Sequence, residues 1–236
     1  MIRALIFDVD GTLAETEEAH LMAFNAAFDE LGLGWHWDEA LNHELLAIAG
    51  GFERLRFFQA RLPEEARLDD AGLAALHAVK KRHYERLLAE GALELRPGVR
   101  ALIDAAREAG LRCAVVTASS NASFGALVRG CFRQPVAELF DVVVTGGDVS
   151  RKKPDPQGYL LALEKLGLSA AEALAFEDSP VGHAAARAAG LDVVVTPSRH
   201  GPQDDDYGTS PVLPSLAPEF WPHFGFSPAQ KDAGQP

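Results

Sequence analysis

Residues Ala4 to Thr16 read ALIFDVDGTLAET. An apolar run, Ala4 to Phe7, stops at Asp8, and Asp10 follows two places on. Alternation puts residues i and i+2 on the same side of an extended segment. Asp8 and Asp10 then face one spot, where their charges repel unless a cation or a phosphoryl group engages them. A short, continuous apolar run is also the pattern of a strand buried on both faces, as in a parallel sheet.

Four further runs repeat that pattern: Cys113 to Val116, Val142 to Val144, Leu174 to Phe176, and Val193 to Val195. Helical stretches separate them. Pro97 to Ala109 ends at Gly110, Pro156 to Leu166 at Gly167, and Pro180 to Ala189 at Gly190. Proline near the start and glycine past the end is how helices are punctuated. Strand and helix in alternation predict an α/β fold, a Rossmann-like parallel sheet with right-handed crossovers. The spacing has one anomaly, because strand one ends near residue 8 and the next begins near residue 112. Between them Leu21, Phe24, Phe28 and Leu31 follow helical spacing, as do Leu73, Leu76, Lys80, His83 and Leu87 in part. The expected organisation is an α/β core, residues 1–15 and 92–198, with an inserted helical cap domain, residues 16–91. Such an insertion overhangs the carboxyl ends of the strands, where open α/β sheets bind ligands. Seven of the 14 prolines follow Pro197. Residues 199–236 therefore read as an irregular Pro-rich tail, with Phe220, Trp221 and Phe224 docking on the body.

Whole-chain quantities narrow the function classes. The chain has 236 residues, 47% of them hydrophobic, enough for an ordinary globular core. No apolar run approaches the ~20 residues of a transmembrane helix. The formal net charge is -12 without a basic block, which disfavours nucleic acid and anionic membranes as partners. Cys113 and Cys131 make no disulfide framework. A cytoplasmic setting is expected, or an organellar one if a transit peptide has been removed. A monomer is the default expectation.

Four groups of polar residues fall at or just after strand ends. They are Asp8 and Asp10; Thr117 and Ser119 in VVTASSN; Lys152 and Lys153 before Pro154; and Glu177 and Asp178 in AFEDS. In a parallel sheet these ends share one edge and converge on one cleft. Asp8 and Asp178 suit Mg²⁺, which takes one or two carboxylates plus substrate phosphate. Thr117 and the N–H groups after it suit phosphate oxygens, and Lys153 suits the charge on a transferring phosphoryl group. Asp8 is placed to attack phosphorus and Asp10 to carry protons.

The set resembles the haloacid dehalogenase superfamily, with DVDGT, the Thr117 strand end, Lys153-Pro154 and Glu177-Asp178 as its four motifs. The resemblance implies Asp8 as nucleophile, Asp10 as general acid/base, and the Asp10 carbonyl as a Mg²⁺ ligand. It implies phosphate rather than carbon–halogen chemistry, because dehalogenases lack the second aspartate. TEEAHLMAFNAAF, the Trp35-His36-Trp37-Asp38 stretch, ELLAIAGGFERLRFF, LRPGV and RKKPDP look more closely like the CbbY family. That implies a phosphatase of a small sugar phosphate, xylulose 1,5-bisphosphate in the type member. The cap positions carried over are Glu17, Gly51, Arg54 and Lys80. Arg54 and Lys80 suit a second phosphate, one as a planar fork and one as a point charge, and Glu17 suits sugar hydroxyls. Phe52 departs from the pattern, since the family often has lysine there.

Some positions stay open on sequence. Ser119 and Asn121 serve either as phosphate ligands or as caps of the next helix. Glu177 is a metal-site residue or an ion-pair partner. Lys80 stands beside Lys81 and Arg82, and charge alone does not choose among them. His20 resembles a cap histidine of β-phosphoglucomutases and reads equally as a polar helix residue. Trp35 and Trp37 read as packing residues. A β-phosphoglucomutase-like phosphomutase and a non-catalytic binding protein on the same fold are the rival functions.

Overall fold

A computed structural model of the chain describes residues 1–46, 48, 50–91, 93–201 and 205–227. Ala92, expected to open the second half of the core, and residues 202–204 and 228–236 of the expected tail lie outside the described residues. So do Ala47 and Ala49 of the AIAGG stretch.

Five parallel strands form one sheet in the order β3-β2-β1-β4-β5. They are β1 (Ala4–Phe7), β2 (Arg112–Val116), β3 (Val142–Val144), β4 (Ala173–Glu177) and β5 (Asp192–Val195). The fold is the α/β, Rossmann-like class that the apolar runs predict. Strand β1 lies at the centre, with Phe7 beside Val115 of β2 and Phe176 of β4. The chain builds outward from β1 first through β2 and β3, then through β4 and β5. The β1/β4 boundary is thus the point where strand order reverses, the usual ligand site of such sheets.

All four residues of β1 are buried because both faces are covered. Leu5 and Phe7 point into one apolar layer with Leu102 and Ile103 of α5 (Val99–Glu108). Ala4 and Ile6 point into the other with Tyr159 and Leu163 of α8 (Gln157–Leu166) and Ala185 of α9 (Pro180–Ala188). Phe7 and Phe176 stack with ring centroids 4.9 Å apart.

Between β1 and β2 the chain forms α1 (Glu17–Glu30), α2 (Glu39–Leu45), α3 (Gly51–Gln59) and α4 (Asp70–Ala89). These carry a separate apolar cluster, in which Trp37 meets Phe24, Phe28 and Phe58. Trp35 packs there too, against Phe28 and Phe58. Two details differ from the expected helix faces. Leu31 is 41% exposed, because α1 ends at Glu30 and the stripe is carried by Ala23, Phe24, Ala27 and Phe28. On α4 the stripe runs Leu73, Leu76, Lys80, Tyr84, Leu88 rather than through His83 and Leu87. A 3.6-residue period drifts by one position over that length, and His83, partly buried, pairs with Glu30 at 2.7 Å.

Among the described residues, the chain after β5 is more ordered than an irregular tail. Val195 N–H donates to Pro211 O, and Leu213 N–H donates to Val195 O, each at 2.8 Å. A 3-10 helix, Pro218–Phe224, then buries Trp221 against the first layer, with Phe220 and Phe224 partly buried beside it.

Trp37 is fully buried, yet its indole N–H meets no acceptor among the described residues. Trp37→Ala is expected to lower unfolding free energy by about 3–5 kcal/mol. Trp37→Phe should cost clearly less, since it removes the unmet donor along with part of the ring. Urea unfolding of both variants measures the difference.

Candidate active site

The end of β1 places Asp8 and Asp10 above the sheet edge. Lys153 reaches the same spot from the stretch before α8. Its ammonium donates to Asp8 Oδ1 and to Glu177 Oε1 at 2.6 Å each, and to Val116 O at 2.9 Å. Lys152 beside it is exposed. Tyr159 O–H also donates to Glu177 Oε1. Glu177 is 1% exposed and lies against α9, where a Cβ on Gly182 would fall 1.9 Å from its Oε2. The helix can start there only because residue 182 has no side chain. Gly11 does the same for Asp178, since its φ is +82° and a Cβ would fall 2.0 Å from Asp178 Oδ2.

Asp8, Glu177 and Asp178 each offer a carboxylate oxygen within 4.8 Å of the other two. Enclosure pushes the Asp8 carboxyl up to about 7 against the pull of Lys153, with Glu177 and Asp10 adding to the rise. Asp178 is pushed well above the usual carboxylate range by enclosure, then by Asp8 and Glu177. Burial disfavours the Lys153 charge, but Asp8 and Glu177 overrule it and hold that pKa well above the ordinary value. Hard oxygen donors crowded to the point of raised pKa values fit a divalent cation such as Mg²⁺. Glu177 is already engaged by Lys153 and Tyr159, which leaves Asp8 and Asp178 as the freer pair.

Asp10 faces away from this cluster, toward the helical block. Ser119 Oγ donates to its Oδ2 at 2.7 Å, and Thr117 Oγ1 does so at 3.4 Å. Thr16 Oγ1 and Tyr84 O–H donate to Oδ1 at 2.8 and 3.2 Å. Thr16 precedes α1, yet its hydroxyl serves Asp10 instead of capping the helix. Enclosure would raise the Asp10 pKa, but His20, Ser119 and Thr16 overrule it and hold the carboxyl well below its usual range. His20 is itself held down by burial and by Lys80, so neutral hydroxyls are the firmer donors.

Above Asp10, His20 Nε2 stands 3.7 Å from Oδ1, and its ring stacks on Tyr84 with centroids 3.9 Å apart. Lys80 Nζ lies 2.5 Å from His20 Nδ1, over the faces of Phe24 and Tyr84. Burial pulls the Lys80 pKa down to about 7. Its neighbours Lys81 and Arg82 are exposed, so of the three it is Lys80 whose side chain is buried beside the site. Arg54 and Glu17 form a two-point pair at 3.2 and 3.4 Å, and Arg54 Nε also donates to Ile48 O at 3.0 Å. Gly51 opens α3, where a Cβ would lie 3.3 Å from His77 Nε2 and 3.5 Å from the Phe24 ring. Phe52 contacts the His77 ring and takes Arg56 over its face at 5.2 Å.

The structure thus gathers Asp8, Asp10, Thr117, Ser119, Lys153, Glu177 and Asp178 at one edge, with Glu17, Arg54 and Lys80 across from them. Asn121 is not among them. It is exposed on the first turn of α6 (Asn121–Leu127), and the cap of that helix is Ser120 rather than Ser119 or Asn121. Thr16, Tyr84 and Tyr159 join the site without having been singled out as site residues, and His20, left open on sequence, joins it as well. For Tyr84 the only sequence signal was its place four residues after Lys80 on one helix.

A family model described as haloacid dehalogenase-like hydrolase matches residues 2–190. The chain belongs to that family. Protein CbbY (plasmid) of Cupriavidus necator is 48% identical over 218 residues, covering 91% of this chain and 86% of the relative. A crystal structure of CbbY from Rhodobacter sphaeroides in complex with phosphate is 42% identical, with a TM-score of 0.85. It covers 92% of this chain and 96% of that one. An aspartate-to-asparagine variant of that CbbY, crystallised with xylulose-(1,5)-bisphosphate, also gives 0.85 at 41% identity, with the same coverage. The chain is accordingly a hydrolase of the CbbY type with phosphatase chemistry. No described helix is long and apolar enough to cross a membrane.

The raised Asp8 pKa carries a sign that can be checked. A carboxyl whose folded pKa exceeds its unfolded value of 3.8 stabilises the fold most at low pH. That contribution is lost as pH rises from about 4 through about 7. With a chelator present, the hydrolase should therefore lose stability relative to Asp8→Asn over that window. Denaturant unfolding of the two proteins at several pH values reads the difference, which should flatten when Mg²⁺ is added.

Proposed function

We propose that this hydrolase is a Mg²⁺-dependent phosphatase of a small sugar phosphate, with xylulose 1,5-bisphosphate as its substrate. The observation that carries the reading is the Asp8–Lys153–Glu177 cluster standing directly under Glu17, Arg54, Lys80 and His20. One phosphate then sits against Asp8 and Lys153 while the rest of the molecule faces the helical block. The ligand of the Rhodobacter CbbY structure supports a bisphosphate.

Asp8 attacks phosphorus with a carboxylate oxygen. The new oxygen–phosphorus bond gives an aspartyl-phosphate, and the bond to the sugar oxygen breaks with its electron pair on that oxygen. Asp10 gives the leaving oxygen its proton. It then takes one from the water that attacks the intermediate, freeing phosphate and restoring Asp8. Lys153 holds Asp8 in place and balances the charge on the transferring group. Thr117 Oγ1, Ser119 and the backbone N–H groups after Thr117 bind phosphate oxygens. Asp8, Asp178 and the Asp10 carbonyl, with Glu177 in support, would hold Mg²⁺, which would supply positive charge that lets an anionic nucleophile approach an anionic substrate.

The helical block, residues 16–91, acts as a cap domain that closes over the substrate and excludes bulk water. Thr16, His20 and Tyr84 reach Asp10 only when it is closed. Their donors favour the carboxylate, so closure turns a protonated Asp10 into a stronger acid at the moment the leaving oxygen needs a proton. The second phosphate takes Arg54 as a planar fork and Lys80 as a point charge, and Glu17 accepts from sugar hydroxyls. An arriving dianion also restores the charge that burial weakens on Lys80. Phe52 adds no cation, which leaves Arg54 and Lys80 to read the distal phosphate.

Phosphate release from xylulose 1,5-bisphosphate, ribulose 1,5-bisphosphate, glucose 6-phosphate and β-glucose 1-phosphate tests the reading. Release is expected with Mg²⁺ and fastest from the first of these, and Asp8→Asn should abolish it while leaving substrate binding intact. Formation of glucose 6-phosphate from β-glucose 1-phosphate in place of phosphate would favour the phosphomutase. Release from none of the four would remove the enzyme reading.

Arg54→Ala should raise KM for the bisphosphate by about tenfold or more, in keeping with a lost charge-assisted hydrogen bond. A monophosphate should change far less. Equal effects on the two substrates would argue against Arg54 as the reader of the second phosphate.

A further inference from the structure

Arg96 lies in the return linker from the helical block, and its side chain is 9% exposed. It donates no hydrogen bond to the carboxylate cluster, although the Asp178 charge acts on it, and it gathers three chain segments around it. Its Nη1 donates to Gly11 O and, at 2.6 Å, to Thr196 O, while Nη2 donates to Pro197 O at 2.9 Å. Its Nε stands 3.2 Å from Glu15 Oε1 in the outgoing linker. Its backbone N–H donates to Leu13 O at 2.8 Å. Ser198 Oγ donates to the other Glu15 oxygen at 2.7 Å.

Each of these partners is one step from the site. Gly11 follows Asp10 and leaves room for Asp178. The turn that contains it is tight, since Val9 O accepts from Thr12, Leu13 and Ala14 N–H. Thr196 N–H donates to Glu177 O at 2.8 Å. Glu15 precedes Thr16, which donates to Asp10. A planar fork with five donors can meet carbonyls from two segments and a carboxylate from a third, and a lysine ammonium cannot match that geometry.

We infer that Arg96 is a positioning residue. Its guanidinium ties the Asp8–Ala14 turn, the exit of β5 and the outgoing linker into one unit. It thereby sets where the Asp10 carboxyl stands when the helical block closes. The inference rests on the phosphatase reading and adds to it a group that touches neither substrate nor phosphate.

The test uses the dependence on leaving group. A sugar alkoxide needs the Asp10 proton as its bond to phosphorus breaks, whereas p-nitrophenolate leaves as a stable anion. Displacing Asp10 should therefore slow the first ester more than the second in kcat/KM, which covers the steps up to phosphoryl transfer. A purely structural role lowers both by one factor. For Arg96→Lys, kcat/KM on the fastest sugar phosphate of the panel should fall by about tenfold to a hundredfold. On p-nitrophenyl phosphate the loss should be about threefold or less, by the same reasoning. Equal losses, or none, overturn the inference. Glu15→Gln leaves the three carbonyl contacts in place and should show the same bias more weakly. If Arg96→Lys does not fold, Glu15→Gln decides alone, and an unbiased or absent loss overturns the inference. A wild type inactive on both esters removes the phosphatase reading and the inference with it. An active wild type with unbiased variants removes the inference alone.

Discussion

The Lys153 ammonium between two carboxylates is the interaction on which the rest of the site depends. Asp8, Glu177 and Asp178 meet in a space too small for three unscreened negative charges. Lys153 contacts two of them at 2.6 Å and takes the Val116 carbonyl as a third acceptor. Breaking a buried pair by removing one partner is far more damaging than the pair's net contribution suggests, because the remaining charge is stranded. The lysine is therefore as much a condition for keeping the acids together as a participant in chemistry. Even with it in place, Asp8 and Asp178 hold raised pKa values. That residual strain is what a divalent cation at these oxygens would relieve.

The sheet makes this gathering possible. Parallel strands end on one edge, and the reversal of order between β1 and β4 opens the crevice there. Two glycines then allow unusually close approach. Without a side chain at Gly182, α9 can begin against the Glu177 carboxylate, and without one at Gly11 the turn after β1 can pass over Asp178. The acids are thus held by backbone placement, with little side-chain freedom left to lose when a ligand binds.

How much of this was legible in the sequence follows from where each residue sits. Asp8, Thr117, Glu177 and Asp178 lie at or just beyond strand ends, and Lys153 lies in the loop between β3 and α8. Local pattern locates strand ends well, and a parallel sheet then does the gathering. Asn121 failed for a local reason, since the choice of cap among Ser119, Ser120 and Asn121 turns on a backbone difference of one residue. The α4 stripe slipped at His83 and Leu87 because helical phase accumulates error along a 20-residue helix. Thr16, His20 and Tyr84 were illegible as ligands of Asp10 for a tertiary reason. Their role exists only once α1 and α4 have packed together and tipped onto the core. The chain after β5 read as irregular because proline breaks periodicity; among its described residues Trp221 docks on the body as expected, while the backbone pairing at Val195 left no local signal.

The two aspartates of the first strand end differently from how they begin. Spaced by two residues, they read as neighbours facing one spot, but their surroundings send them opposite ways. Asp8 belongs to the core: its contacts are Lys153 and the two acids, and enclosure keeps its affinity for protons high. Asp10 belongs to the seam between core and helical block, where hydroxyls from both sides keep its affinity low. A nucleophile and a proton carrier need that separation. On the proposed mechanism the nucleophile must be held as an anion, while the proton carrier must respond to closure of the helical block. Lys153 favours the first, and the donors of Thr16, His20 and Tyr84 on the helical block would serve the second. The two carboxylates on one short turn differ because one is anchored to the sheet by Lys153 and the other meets donors from the helical block.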